Sequence, residues 1–159
     1  MNCFLYNSSV GKKLVMSISG CALVLFILFH MSMNLTALFS AEAYNMICEL
    51  LGANWYALVG TAGLAALVVV HFVYALILSI NNYRARGAQR YAVETKEPGV
   101  SWASKNMLVL GVIVLVGLLL HLSHFWAKMQ LVEILGGHES EVGGQMIAAT
   151  DGAALIAYT

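Results

Sequence analysis

Four of the five histidines in the chain could do chemistry by virtue of where they stand. His30, His71, His121 and His124 lie in three stretches that contain no Asp, Glu, Lys or Arg. Neutral imidazole ligates transition metals, and imidazole near neutral pH carries protons. An imidazole inside a membrane can also hydrogen-bond a neighbouring helix. Ionisable groups at membrane depth are costly, which makes each of these positions a candidate for function.

The elements that carry them are read from the charge gaps. The chain has 159 residues, 60% apolar and only 10% charged, with a formal net charge of zero. A soluble domain carries about 25% charged residues. The composition therefore excludes an ordinary water-soluble globule. A single Pro and high apolar content exclude disorder, and the lack of a basic block excludes a nucleic-acid binder held through phosphates. No charge occurs between Lys13 and Glu42, between Glu49 and Arg84, or between Lys105 and Lys128. A bilayer core of about 30 Å takes about 20 apolar helical residues. The expected fold is all-α, a transmembrane helical bundle with spans near residues 14–39, 55–80 and 107–126. Continuous apolar runs such as Ala65–Val70 favour helices over the alternation of barrel strands. Residues 127–159 read as a polar, outward-facing tail whose apolar end, Ala153–Tyr158, is too short to span and looks like the start of a fourth helix.

Lys and Arg set the expected orientation. Lys12 and Lys13 precede the first span, and Arg84, Arg86, Arg90, Lys96 and Lys105 join the second to the third. The first loop holds Glu42 and Glu49 without a cation, and the tail is acidic. The N-terminus is thus expected on the cytoplasmic side of a multi-pass membrane protein.

Helical rise then assigns heights. His30 lies about 24 Å from Leu14 and His121 about 21 Å from Met107, at similar outer levels. His71 lies about 14 Å from Ile80, nearer the inner side, with no partner expected in this chain. His124 follows His121 by about 4.5 Å along the axis, so height alone does not separate them. Two imidazoles at one level on different helices suit a bis-histidine haem, with both axial positions filled. Zinc would want three or four ligands at one level. Gly60 and Gly117 fall near the faces of His71 and His121, where small residues make a slot or simply let helices approach. Cys3, Cys21 and Cys48 have no metal or redox spacing.

On these residues the chain resembles the cytochrome b membrane anchor of bacterial succinate dehydrogenases and fumarate reductases, the dihaem, single-polypeptide b558 type. The likeness rests on Ser17–Gly20 and Leu28–Met31, on Val70–Tyr74, and on Gly111 with His121-Leu122. The stretch from Ala43 to Tyr56 looks like the Bacteroidetes members. The resemblance implies a five-helix bundle with two b haems. One would be held by His30 and His121, the other by His71 and a fourth-helix histidine that this chain lacks, so that the chain reads as truncated. It further implies a place for Ser17 near a haem propionate and for Glu49 in quinol proton transfer. Plainer readings stand beside these: a Ser bonded to its own backbone, a solvated loop acid, and arginines that only anchor the inner side.

The expected function is therefore a haem b subunit that anchors a flavoprotein and an iron–sulfur subunit and exchanges electrons with menaquinone. Dicarboxylate chemistry would belong to the flavoprotein. The alternative is a haem-free membrane scaffold, or a small proton-relaying transporter built on the same histidines.

Overall fold

The structure is a computed structural model that describes residues 8–86 and 101–159. Cys3, Arg90 and Lys96 lie outside the described residues. Three helices are long and apolar enough to cross a membrane, within Ser9–Leu38, Trp55–Ala85 and Met107–Trp126. Each takes up most of one charge gap, the first also including Lys12 and Lys13 and the second Arg84.

Helix α1, Ser9–Leu35, begins where the Ser8 hydroxyl accepts the Gly11 N–H at 2.8 Å. This satisfies one of the four donors every helix start leaves open. It starts earlier than the gap predicts, with Lys12 and Lys13 in its first turns, where long stems let charged heads reach the interface. Its polar residues bond back to their own backbone: Ser32 to Leu28 O and Asn34 to His30 O, each at 2.8 Å. In lipid no water is at hand to satisfy them otherwise. A 3-10 turn, Thr36–Leu38, ends the crossing. Helix α2, Ala41–Leu50, follows, with Ser40 as its N-cap and Glu42 in its first turn. An anion there suits the positive end of the helix dipole.

Helix α3, Trp55–Arg86, returns across the bundle and packs chiefly against α1. It runs past Ile80, the expected end, and carries Arg84 in its final turns. A four-residue helix α4, Trp102–Lys105, leads into α5, Met107–His121. The chain then widens into a π-helical turn, Leu122–Trp126, before the short helix α6, Gln130–Ile134.

Beyond α6 the chain forms a feature the tail reading lacks. Strands β1, Glu139–Val142, and β2, Gln145–Ala148, pair antiparallel with Val142 opposite Gln145. Gly143 and Gly144 join them with φ of 58° and 79°. A two-residue hairpin turn of this hand needs positive φ at both central positions, which glycine adopts without strain. Among the described residues the fold is thus mostly helical with one small hairpin.

The apolar run Ala153–Tyr158 lies in the seven-residue helix α7, Gly152–Tyr158, which packs on α2. Asn45 holds the junction. Its amide donates to Asp151 Oδ1 at 2.8 Å, and its oxygen accepts the Ala153 N–H at 2.9 Å. Leu155 is 1% exposed, and burying a leucine contributes about 2 kcal/mol.

The core of the chain sits outside the spans. Tyr44, Ile147, Ala149 and Leu155 are its buried hydrophobic residues among those described. They belong to a cap of α2, the hairpin and α7. Along the spans large side chains such as Leu25, Val69 and Ile113 are exposed. That pattern fits helices whose apolar surface faces lipid. Within the spans Ser19, 3% exposed, and Gly11 are buried.

Candidate functional site

Two of the predicted ligands meet. His30, late in α1, and His121, the last residue of α5, approach with ring centroids 5.6 Å apart and planes at 87°. Each ring is backed by an aromatic ring one turn away. Phe26 stacks on His30 at 5.4 Å, and Phe125 on His121 at 5.2 Å. Residues four apart lie on one face of a helix, which is why each pair stacks. Phe125 belongs to the π turn, a distortion found often at functional sites.

The pair passes a simple fit test for a shared metal. Metal–imidazole bonds of about 2 Å on each side, with the ring radii added, place two axial rings roughly 6 Å apart between centroids. The observed spacing is close to that. Both residues are exposed in the chain, so the pair is open to a ligand. Among the described residues no group of three or more His, Cys, Asp or Glu comes together. Among the described residues the site therefore brings together two imidazoles, His30 and His121.

His71 lies at a second level and is not alone there. Its Nδ1 is 2.9 Å from the Ser19 hydroxyl. Ser19 stands about 16 Å below His30 along α1, from the rise of eleven residues. Gly20 completes the contact: a Cβ there would come within 3.2 Å of His71 Cε1. The absence of a side chain at Gly20 lets the ring lie against the backbone of α1. The neighbour of His71 at this level is thus a hydroxyl on α1 rather than a second imidazole. No hydrogen bond among those described reaches its Nε2.

The remaining predicted positions separate. His124 turns back on its own helix, with Nδ1 2.9 Å from Leu120 O and 3.1 Å from the Ser123 hydroxyl. Ser17 is exposed, and Ser19 holds the place facing His71. Gly60 and Gly117 face open space, with nothing within 4 Å of a built Cβ. Arg84 is exposed near the end of α3, and only the backbone of Arg86 is described.

Glu49, at the end of α2, is exposed beside a groove of about 680 Å³. Met46, Leu50, Tyr56, Glu133 and Thr150 line the same groove. Glu133 was not singled out by sequence. Its carboxylate accepts the Ala53 N–H at 2.8 Å and fixes the loop before α3. Gln130, 8% exposed, ties that loop to the bundle. Its oxygen accepts Thr61 Oγ1 at 2.9 Å and Trp126 Nε1 at 2.7 Å, and its amide donates to Gly52 O at 2.9 Å. Every polar atom of this buried amide group has a partner, as burial requires. No local motif announces either residue, because both act across the fold.

The cap encloses two weak acids. Tyr44 donates to Asn34 Oδ1 at 2.9 Å. Burial, with the Cys48 thiol beside it, pushes its pKa up to about 12. Burial likewise pushes the Cys48 thiol up. A thiol kept protonated is a poor nucleophile, so Cys48 behaves as a packing residue.

Comparison with protein families, curated proteins and solved structures finds no match.

Proposed function

We propose that the chain is a haem b-binding membrane-anchor subunit of a succinate:quinone oxidoreductase, passing electrons between an iron–sulfur subunit and membrane menaquinone. The observation that carries this reading is the His30–His121 pair, two imidazoles from different membrane helices at one height and close to axial spacing. His71, about 16 Å away along the bundle, is a second ligand position at a distinct level.

In this reading His30 and His121 would hold one haem and His71 would supply one ligand of another. A bis-imidazole haem b supplies reversible one-electron transfer. The chain's own residues do the rest. Phe26 and Phe125 pack against the ligating rings and restrict their rotation. Both rings are exposed in this chain, so lipid and further packing would have to keep water from the pair, and burial of that kind tunes a redox potential. Glu49 and Glu133, at the groove rim, are carboxylates able to take up or release the protons that quinone reduction and oxidation require. The five-span bundle, the flavoprotein and iron–sulfur partners and the cytoplasmic N-terminus in a bacterial inner membrane belong to this proposal and rest on the resemblance and the distribution of Lys and Arg.

A haem-free scaffold or proton relay would use the same histidines as interhelical hydrogen-bonding groups. The near-axial spacing of His30 and His121 favours the haem reading over it. A reduced-minus-oxidised visible spectrum of the purified chain in detergent tests it. A bis-imidazole b-type band that His30→Ala and His121→Ala each diminish is expected. A flat spectrum after expression with sufficient haem would overturn the reading.

A further inference from the structure

We infer that Ser19 is the positioning residue for His71, holding its imidazole in the Nδ1–H tautomer so that Nε2 presents a lone pair.

The argument is one of proton accounting. The Ser19 hydroxyl lies 3.1 Å from Met16 O and 2.9 Å from His71 Nδ1. A carbonyl oxygen has no proton to give, and in this assignment the hydroxyl proton goes to it. Ser and Thr inside helices commonly donate backward in this way. The oxygen is left with lone pairs only. It then accepts from His71, which requires the proton to sit on Nδ1. In neutral imidazole the other nitrogen is an acceptor, free to bind a metal ion or a proton.

The surroundings support a built contact rather than a passing one. Ser19 is 3% exposed. Gly20 leaves the space that a Cβ would take from His71 Cε1. Together they fix both the position of the ring and its rotation. A metal-ligating histidine is oriented in the same manner, through a hydrogen bond from its other nitrogen. The bearing on iron rests on the haem reading above, whereas the tautomer does not.

The test separates the two. Nitrogen-15 NMR of the full chain, labelled at histidine, produced under haem limitation and reconstituted in lipid bilayers, reads the tautomer of His71. The His71→Asn spectrum assigns the signal. We expect Nδ1–H to exceed Nε2–H by roughly tenfold. Ser19→Ala abolishes this preference. Ser19→Thr restores it, since a threonine hydroxyl makes the same backward bond. A predominant Nε2–H form in the unaltered chain, or a preference unmoved in Ser19→Ala, overturns the inference. Titration of the same proteins with haem b gives the second readout. Ser19→Ala is expected to weaken binding at the His71 level by about ten- to a hundredfold, leaving the His30–His121 level unchanged. A chain that shows the expected tautomer but takes up no haem would refute the haem reading and leave the inference standing.

Discussion

The imidazoles of His30 and His121 stand 5.6 Å apart, centroid to centroid, although one belongs to the first crossing and the other to the third. α5 otherwise keeps more distance from α1 than α3 does. The two rings thus form a defined point of approach between loosely neighbouring helices.

If both rings grip one iron, they act as a unit, and their substitutions must not add. His30→Ala and His121→Ala should each remove the same haem, and the double variant should remove no more. His71→Ala should affect a different signal. Haem stoichiometry from pyridine haemochrome spectra checks this. Independent losses at His30 and His121 would contradict a shared ligand.

His124 is expected to be dispensable for that haem. Its Nδ1 already faces the Leu120 carbonyl. His124→Ala should leave the visible spectrum unchanged, and a spectrum resembling that of His121→Ala would transfer the ligand role to it.

Gly152→Ala should loosen the cap. A Cβ at Gly152 would fall 2.5 Å from Cys48 Sγ and 2.8 Å from Tyr44 Cε1. Overpacking of this order costs about 1–3 kcal/mol. Hydrogen exchange in α2 and α7 should rise while that of the three crossings stays put.

Gln130→Leu should be comparably harmful to the loop before α3. It leaves the Gly52 carbonyl and the Trp126 N–H without their partner. An unsatisfied buried polar group costs about 1–3 kcal/mol. Faster proteolysis near Ala53, with an unchanged His30–His121 haem signal, is the expected outcome.

Alkaline pH should weaken the cap with a definite sign. The folded state holds the Tyr44 proton more tightly than the unfolded chain does, with a pKa of about 12 against 10.0. Its contribution is complete below pH 10 and is lost as pH rises toward about 12. Cys48 acts in the same sense, starting from its ordinary value of 9.0. Tyr44→Phe should flatten the part of the alkaline loss that Tyr44 causes, measured by cap hydrogen exchange across that range.

The crossings were legible because charge is so expensive in lipid that its absence marks them. The levels of His30 and His121 followed from helical rise alone. Rotation about the axis did not: Ser17 and Ser19 differ by about 200° on the helix wheel, and only packing against α3 decides which one faces His71. The hairpin carried a readable signal in Gly143-Gly144 between short runs with apolar members, masked by the acidic residues around it. Helix α7 was less legible. Its apolar run has the composition of a span's beginning, and its use as a lid over α2 depends on Asn45 and Asp151, far apart in sequence.

The wide turn at Leu122–Trp126 has a wider consequence as a phase adjuster. It accommodates an extra residue, so everything after it is rotated relative to a regular helix, by about 100° per residue. The chain then leaves the helix through Met129, and Gln130, on the separate helix α6, reaches Gly52 and Thr61 while His121, just before the turn, lies beside His30. Excising one residue within the turn would therefore disturb both the extramembrane lock around Gln130 and the Phe125 ring that backs His121.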